Sequence, residues 1–574
     1  MARKKHAWEA SYPKGVDWEF EPVLQPIYEM LKHSYEKYPK RIALEFLGKT
    51  MTYEELWKEA CNFASGLQRR GIKKGDKVGI CLPNSFHYVI SYYGVLMTGA
   101  TVVNFNPLYT EAEIATLSRD SGVRIMITTD IEHVYEKVFF ALNNSDMCSM
   151  IVAPFTDNLP FIKKTLFNIF KPEKIAKLPD GNTVLPWDRV SSLDSEPDPV
   201  RINPAKDIAL YQYTGGTTGL PKAAMLTHSN VVTNAEQCNI WRQASGEVTD
   251  HDIFLGVIPF FHVFAMTALM NLSMRRSGTL HMYPKFDLKQ TLQGIHKHKP
   301  TIFAGVPALY NAIINYEKIN KYNLTSMQFC ISGGAALPAE VCDEFVEKTG
   351  TAMVEGYGLS ETSPVACCNQ SNGKNKANSI GLPLPGTEIS IRSLEDRGKE
   401  CKTGDVGEIA IRGPQVMKGY AGRIKETKEV FFKDWLLTGD VGYIDEDGYV
   451  YITDRLKEMI NVSGFKVYPR HIEEVLYSHS AVMEAAVIGI PHAKKGEMPK
   501  AFVALKKGQS VTAEELKKYA EAHLNPYEKI AEVEFRDELP KSMIGKLLKR
   551  ELMQEEKQKT KRDKQAKKKR ISRS

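Results

Sequence analysis

The segment from Tyr213 to Lys222 combines three glycines, three threonines and a closing lysine within ten residues. Glycine lets backbone N–H groups come close to a ligand, and threonine hydroxyls add further hydrogen-bond donors. The lysine contributes a positive charge, so the segment has the chemistry of a loop that wraps the phosphates of a nucleotide. We predict phosphate contacts from Thr214, Gly215, Gly216, Thr217, Thr218, Gly219 and Lys222.

This loop differs from the phosphate loop of common ATPases, because Leu220 and Pro221 separate Gly219 from Lys222. A flexible polar turn is the simpler alternative. The density of hydroxyls, glycines and charge favours phosphate binding instead. A strand-like run precedes the loop at 207–212 and an apolar run follows it at 223–226.

Four further segments lie downstream of the loop, at 355–362, 437–440, 453–457 and 540–546; they read EGYGLSET, LTGD, TDRLK and PKSMIGK. In order and spacing, the five segments resemble the signature motifs of adenylate-forming enzymes. That superfamily includes acyl-CoA synthetases, firefly luciferase and the adenylation domains of peptide synthetases.

The resemblance extends from about Tyr38 to Leu552. It is closest to bacterial long-chain fatty-acid–CoA ligases, and the sequence segments at 104–110 and 461–469 carry this closer match. It implies a reaction in two halves. A carboxylate first attacks the α-phosphate of ATP to form an acyl-adenylate and diphosphate, and the thiol of CoA then displaces AMP.

The elements around these motifs indicate α/β and α+β domains. A chain of 574 residues with 43% hydrophobic content is too long for one ordinary core, so two or more domains are expected. Buried-strand runs at 77–82, 100–103 and 124–128 alternate with a helical stretch at 111–118, which predicts a parallel α/β sheet. The stretch 143–206, rich in Pro and Asp, interrupts this pattern and predicts an insertion.

After Ile380, short alternating runs predict a small β-subdomain, and from Lys457 the pattern predicts a compact α+β module. The resemblance implies the same division. Residues 1–456 would form a large AMP- and acyl-binding domain, and 457–556 a small mobile C-terminal domain. The terminal segment 557–574 carries ten Lys or Arg against one Asp, so the rest of the chain, whose total charge is +7, sums to −2. We expect a disordered basic tail, with contact to anionic lipid as the alternative and no nucleic-acid partner.

Several observations bear on the compartment. Nine scattered cysteines without metal spacing indicate reduced thiols of a cytoplasmic protein, and the charged first residues do not resemble a signal peptide. The uncharged run Ile253–Met274 is predicted as strand, loop and helix rather than a membrane span, because Gly256, Pro259 and His262 interrupt it. The basic amphipathic stretch 161–171 is predicted to lie on the inner face of the membrane or to pack on its own domain.

The resemblance also implies residue roles. Lys546 would be the lysine that bridges carboxylate and α-phosphate, assisted by Lys222 and Ser360, and Glu361 with Thr214 would hold Mg²⁺. Asp440 would bind the ribose hydroxyls, with Arg455 assisting and Lys457 as the hinge. The adenine wall would comprise Gly333, Gly334, Ala335, Glu355, Gly356 and Tyr357, and the CoA channel Ser463, Gly464 and Phe465.

The acyl group is expected in an apolar pocket formed by His262, Val263, Phe264, Met266, Gly305 and Gly358. These residues offer no charged partner for a substrate amine, which suits an alkyl chain. The predicted function is that of a long-chain fatty-acid–CoA ligase using fatty acid, ATP and CoA, in a chain that could form a homodimer. The alternatives are an enzyme for another apolar carboxylate, transfer to a carrier-protein thiol, and a lipid-binding scaffold without catalysis.

Overall fold

The computed structural model describes residues 5–171, 174–192, 194–214, 221–244, 250–492, 494–541 and 547–571. Within these ranges the strands form three sheets. The strands are β1 (Ile42–Phe46), β2 (Lys49–Thr52), β3 (Lys77–Cys81), β4 (Thr101–Asn104), β5 (Val123–Thr129), β6 (Ser149–Ala153), β7 (Val184–Pro186), β8 (Ile208–Thr214), β9 (Lys222–Thr227), β10 (Ile253–Gly256), β11 (Thr279–Met282), β12 (Ile302–Gly305), β13 (Phe329–Ser332), β14 (Met353–Gly358), β15 (Val365–Cys368), β16 (Ser379–Pro383), β17 (Glu388–Arg392), β18 (Gly407–Arg412), β19 (Phe431–Phe432), β20 (Trp435–Ile444), β21 (Val450–Arg455), β22 (Ile460–Val462), β23 (Phe465–Val467), β24 (Val482–His492), β25 (Gly496–Leu505) and β26 (Glu532–Phe535).

The α-helices of the same ranges cover the sheets and the core. They are α1 (Tyr28–Lys37), α2 (Tyr53–Arg69), α3 (Phe86–Met97), α4 (Glu111–Ser121), α5 (Glu132–Asn143), α6 (Phe161–Phe170), α7 (Asp188–Ser191), α8 (His228–Ala244), α9 (Val263–Ala265), α10 (Leu272–Arg275), α11 (Leu288–His298), α12 (Pro307–Ile314), α13 (Ala339–Thr349), α14 (Ile424–Val430), α15 (Pro469–Tyr477), α16 (Ala513–Glu521) and α17 (Lys549–Ile571). A π-helical segment, Met266–Asn271, joins α9 to α10.

Local sequence explains several of these elements. Thr52, Thr110 and Thr512 each begin a helix with a capping box, because the carboxylate of the glutamate three residues later accepts a hydrogen bond from the threonine N–H. Helix α3 is apolar on all sides and every one of its residues is buried, which places it in the largest hydrophobic core.

The first sheet has the order β7-β6-β5-β3-β4-β8-β9 and is parallel except for the β8–β9 hairpin. This confirms the predicted α/β class. The stretch 143–206 is not the insertion that its composition indicated, because it contains two strands of this sheet, β6 and β7, which extend it in parallel beyond β5. The prediction was wrong because Pro and Asp lie in the connections between these short strands.

The second sheet contains fourteen strands in the order β17-β18-β20-β21-β16-β15-β14-β13-β12-β10-β11-β1-β2, with β19 beside β20. Its section from β14 to β1 is parallel, whereas the section from β15 to β17 is antiparallel and corresponds to the predicted β-subdomain. The two sections meet at β14, which carries Glu355, Gly356 and Tyr357. Glycines and prolines placed this change after Ile380, whereas antiparallel pairing already begins with β15, and they did not reveal that both sections share one hydrogen-bonded sheet.

The third sheet, β23-β22-β25-β24 with β26 beside β25, begins at Ile460 and has its own core. Helix α17 starts on this sheet, where Leu552 is buried, and continues to Ile571. The expected disorder of 557–574 is therefore corrected for residues 557–571, which are helical. Lys, Arg, Gln and Ala are good helix formers, so a helix that begins on the sheet continues without an apolar face.

The apolar run Ile253–Met274 forms β10, a loop and the helical segments that start at Val263, as expected. In the part of the chain that the structure describes, no helix combines the length and the apolar character needed to cross a membrane.

Candidate active site

The strands β8 and β9 hold the ends of the glycine-rich loop. Thr214 and Lys222 are paired across this hairpin, and the Thr214 hydroxyl lies 3.4 Å from the Lys222 carbonyl oxygen, to which it donates. Gly215, Gly216, Thr217, Thr218 and Gly219 lie outside the described residues. The hairpin thus fixes where the loop begins and ends.

Lys222 and Glu361 are linked through Tyr420. The Lys222 Nζ lies 5.2 Å from the centre of the Tyr420 ring, and the Tyr420 hydroxyl donates to Glu361 Oε1 at 2.7 Å. Two backbone contacts hold this arrangement, since Ala224 is bridged to Tyr420 and the Met417 N–H donates to the Glu361 carbonyl oxygen at 2.8 Å. A cation, a phenol and a carboxylate therefore lie side by side at the start of β9.

Glu361 lies in a short 3₁₀ turn, Ser360–Thr362, directly after β14. Burial raises the pKa of Glu361, whereas the hydrogen bond from Tyr420 and the charge of Arg455 lower it. The charge of Asp440 raises the same pKa, so the two carboxyl groups lie within one electrostatic environment. A cation between them would offset their repulsion. Ser360 precedes Glu361 in the turn and is partly exposed.

The Asp440 carboxylate on β20 contacts side chains from β14 and β21. Its Oδ2 accepts a hydrogen bond from the Tyr357 hydroxyl at 2.6 Å, and its Oδ1 lies 3.3 Å from Arg455 Nε. Asp440 and Arg455 are cross-strand partners on β20 and β21, and Asp440 is only 4% exposed. Burial and the charge of Asp440 raise the pKa of Tyr357 well above its usual value, so Tyr357 remains a donor.

Two glycines and an aromatic ring pack together at the ends of β13 and β14. The Phe264 ring lies against Gly333, where an added Cβ would be 3.1 Å from Phe264 Cζ and 3.4 Å from the Gly356 carbonyl oxygen. The Gly333 N–H donates to the carbonyl oxygen of Gly305 at 3.1 Å. The predicted adenine wall and acyl pocket therefore share a boundary at Phe264. Gly334 (φ +79°) is exposed, and Ala335 beside it is partly exposed.

Glu355 is buried beneath this wall. Its Oε1 accepts a hydrogen bond from the Leu337 N–H at 3.3 Å. Burial raises the pKa of Glu355 to about 7, although the positive charge of Arg470 on α15 opposes this shift. Arg470 belongs to the C-terminal sheet region, so a charge from that region acts on the carboxyl group of β14.

The remaining residues of the predicted acyl pocket have structural contacts. His262 Nδ1 accepts the Phe264 N–H at 3.3 Å and so caps α9, while Val263 and Met266 are buried in the core. Gly358 faces the Pro364 carbonyl oxygen, where an added Cβ would come within 1.8 Å. Glycine is required at this position whether or not a ligand binds there.

The structure does not bring the predicted CoA-channel residues to Asp440 or Glu361. Ser463 (φ +53°) and Gly464 (φ +92°) form the exposed turn between β22 and β23, and the Phe465 ring stacks on Tyr527 at 4.9 Å. Lys457 is exposed in the connection between β21 and β22. Lys546 lies outside the described residues.

Sequence reasoning missed Tyr420 and Arg470. Tyr420 is 59 positions from Glu361, and it lies in a segment without strand or helix periodicity. Arg470 follows a proline at the start of α15, where it looks like an ordinary surface cation. A glycine directly before Tyr420 was the single local signal of a specific backbone contact.

Comparisons with known proteins agree with this geometry. The sequence pattern of the family described as AMP-binding enzyme matches residues 31–421, and that of the AMP-binding enzyme C-terminal domain matches residues 471–546. A long-chain-fatty-acid–CoA ligase from Bacillus subtilis is 42% identical over 553 residues, covering 96% of this chain and 98% of that protein.

Solved structures share the fold. Anthranilate CoA ligase AuaEII, in complex with anthranoyl-AMP, has a TM-score of 0.83 at 23% identity and covers 94% of this chain and 99% of its own, which supports the fold alone. ATP-bound MatB from Rhodopseudomonas palustris has a TM-score of 0.76 at 28% identity, covering 91% of this chain and 97% of its own. With family matches over most of its length and a full-length relative at 42% identity, the chain belongs to the family of AMP-binding enzymes.

Proposed function

We propose that this chain is a long-chain fatty-acid–CoA ligase, which converts fatty acid, ATP and CoA to acyl-CoA, AMP and diphosphate through an acyl-adenylate. The observation that carries the proposal is one connected set of side chains, in which Lys222, Tyr420 and Glu361 adjoin Tyr357, Asp440 and Arg455. The long-chain-fatty-acid–CoA ligase that is 42% identical over nearly the full length supports the substrate class.

The connected set divides into a ribose side and a phosphate side. The Asp440 carboxylate offers acceptor oxygens, which suits a ribose diol, and its contacts with the Tyr357 hydroxyl and Arg455 orient it. On the phosphate side, Lys222 and the loop that begins at Thr214 would offset the negative charge of the phosphates as the fatty-acid carboxylate approaches. Ser360 would add a hydroxyl donor. Lys546 would bridge the two anions.

The residues present fit a bound Mg²⁺. The Tyr420 hydroxyl donates to Oε1 of Glu361, so the second carboxylate oxygen, Oε2, can be a metal ligand. Thr214 contributes a hydroxyl oxygen, so both ligand atoms are hard oxygens. Mg²⁺ is usually held by one or two protein oxygens together with phosphates and water, and this small donor set meets that requirement. The ion would neutralise phosphate charge beside Glu361.

The second half-reaction requires a different arrangement of the small domain, because the Ser463–Gly464–Phe465 turn is exposed and the Phe465 ring stacks on Tyr527. We place the hinge at Lys457, in the connection between β21 and β22. A polar contact crosses this connection, since Asp454 Oδ2 accepts the Arg470 N–H at 2.8 Å. Polar contacts can be exchanged for water, which suits a rotating domain.

Membrane contact is proposed through α6. Five of its apolar side chains are exposed, namely Phe161, Ile162, Leu166, Ile169 and Phe170. With 3.6 residues per turn they fall within one half of the helix circumference, while Lys164 and Phe167 face the protein. This exposed face and the adjacent Lys163 suit the surface of an anionic bilayer, where long acyl chains are supplied.

The enzymatic proposal is tested by measuring AMP and acyl-CoA formation over fatty acids from short to very long. We expect turnover to increase with chain length up to the long-chain range, since each buried methylene contributes about 0.8 kcal/mol. Acyl-adenylate formation without AMP release or acyl-CoA would instead favour a carrier-protein thiol as the acceptor. A preference for short or aromatic carboxylates would refute the long-chain assignment.

Membrane contact is tested with the double variant Ile162→Ser, Phe170→Ser in sedimentation with phosphatidylglycerol vesicles. We expect weaker binding than for wild type, with turnover of detergent-solubilised substrate unchanged. The control Val346→Ser removes another exposed apolar side chain, on α13. Equal vesicle binding by the double variant and the control would rule out α6 as the contact.

A further inference from the structure

A second cluster of ligand-forming side chains lies in the same sheet as the candidate active site but far from it. Glu45 on β1 and His281 on β11 are cross-strand partners, and His298 ends α11. Four interstrand spacings separate β11 from β14, about 19 Å at the usual strand separation. The cluster therefore lies outside the set formed by Tyr357, Asp440 and Glu361.

The three side chains present nitrogen and oxygen atoms to one point. Potential ligand atoms of Glu45, His281 and His298 all lie within 4.8 Å of one another. His281 Nδ1 lies 2.6 Å from Glu45 Oε2, and the two imidazole rings are 4.3 Å apart at their centres. The other oxygen, Glu45 Oε1, accepts the Gly48 N–H at 2.6 Å, which fixes the orientation of the carboxylate.

The surroundings of the cluster suit a bound cation. Glu45 and His281 are buried, whereas His298 is partly exposed and would leave an open position toward solvent. The carboxyl end of α11 adds a partial negative charge beside the cluster.

We propose that Glu45, His281 and His298 form a binding site for a divalent transition metal, with Zn²⁺ as the best fit. Two imidazoles and one carboxylate are a donor set typical of Zn²⁺, with water in the fourth position. Ligand atoms around tetrahedral Zn²⁺ lie about 3.3 Å apart, so side-chain adjustments of roughly an ångström bring this cluster into range. The metal takes the place of the hydrogen bond between His281 Nδ1 and Glu45 Oε2, and the imidazole of His281 keeps its single proton on Nε2.

Such a metal would join three elements. It would link β1, the partner of the edge strand β2, to β11 and to the end of α11. Because the site is distant from the connected set at Asp440, its primary readout is metal binding and stability rather than turnover.

The test is a titration of chelator-treated, untagged protein with Co²⁺, followed by competition with Zn²⁺. We expect one Co²⁺ per chain with the visible absorption of a four- or five-coordinate nitrogen and oxygen site. His298→Gln should weaken binding at least about tenfold. The control His133→Gln removes an exposed histidine on α5 and should bind as wild type does.

The titration of the wild-type chain does not depend on the folding of any variant. Absence of stoichiometric binding there would overturn the proposal. A near-ultraviolet band from thiolate-to-cobalt charge transfer would also overturn it, because one of the nine cysteines would then be the ligand. An unchanged affinity in a folded His298→Gln variant would do the same.

Discussion

The hydroxyl of Tyr420 is the contact whose removal tests the site most directly. Tyr420→Phe keeps the ring beside Lys222 but removes the hydrogen bond that Glu361 Oε1 accepts at 2.7 Å. A hydrogen bond to a charged group contributes about 1.5–3 kcal/mol. Without it, the ionised form of Glu361 is destabilised in a position where burial already raises its pKa.

The expected size and sign follow from these values. A loss of about 1.4 kcal/mol corresponds to one pKa unit, so the pKa of Glu361 should rise by one to two units in the absence of metal. Because the carboxylate is the active form, the acid limb of the rate profile should move to higher pH. On this acid limb, where the rate is proportional to the ionised fraction of Glu361, adenylation at a given pH should fall by about ten- to a hundredfold, with a greater demand for Mg²⁺.

The assay is fatty-acid-dependent exchange of diphosphate into ATP, measured over pH and Mg²⁺ concentration, because it reports the first half-reaction alone. Tyr443→Phe is the matched control, since Tyr443 lies on β20 and its ring stacks on Tyr451 at 4.8 Å. If the exchange rate falls at the same acidic pH and depends equally on Mg²⁺ in wild type and Tyr420→Phe, Glu361 does not act in the proposed way.

Three further outcomes are expected. Lys546→Ala should slow acyl-adenylate formation by about a hundred- to a thousandfold and spare thioester formation from supplied acyl-adenylate. Lys557→Ala is the control, and an equal loss of rate in both steps would contradict the assigned role. Gly464→Leu should accumulate acyl-adenylate, whereas the control Gly508→Leu, at another open position of positive φ, should not. Normal acyl-CoA formation in Gly464→Leu would exclude the turn at Gly464 from the CoA channel. Asp252→Ala should lower the free energy of unfolding by about 3–5 kcal/mol, because Arg242 and Arg276 would lose their buried partner. Denaturant unfolding measures this loss, with the exposed Asp250→Ala for comparison. A loss below about 1 kcal/mol would refute the prediction.

Local signals predicted much of the fold. Helix α15 has a proline in its first turn, and α16 begins at Ala513 because Thr512 and Glu515 form a capping box; both are start signals that the sequence shows. The strands β3, β4 and β5 lie where apolar runs marked them. In these cases the sequence signal and the structure it describes lie within a few residues of each other.

Sequence signals failed in two situations: where amino-acid composition obscured the local helix or strand propensity, and where contacting residues are distant in the sequence. Proline and aspartate in the connections concealed β6 and β7, and the absence of apolar residues concealed the helical character of 557–571. The contact between Tyr420 and Glu361 depends on how β9 packs beside the 3₁₀ turn, and no periodicity contains that information. The motif residues could be found through the resemblance, but the side chains that support them could not.

The pairing of Asp440 with Arg455 has a consequence for regulation of the catalytic cycle. Arg455 lies two residues before Lys457, so the carboxylate proposed to hold the ribose also contacts the strand that leads to the proposed hinge. If nucleotide binding changes this ion pair, thermodynamic reciprocity requires that rotation of the small domain change nucleotide affinity by the same factor. Release of AMP and return of the domain would then be two aspects of one equilibrium, and a substitution at Arg455 would alter both together.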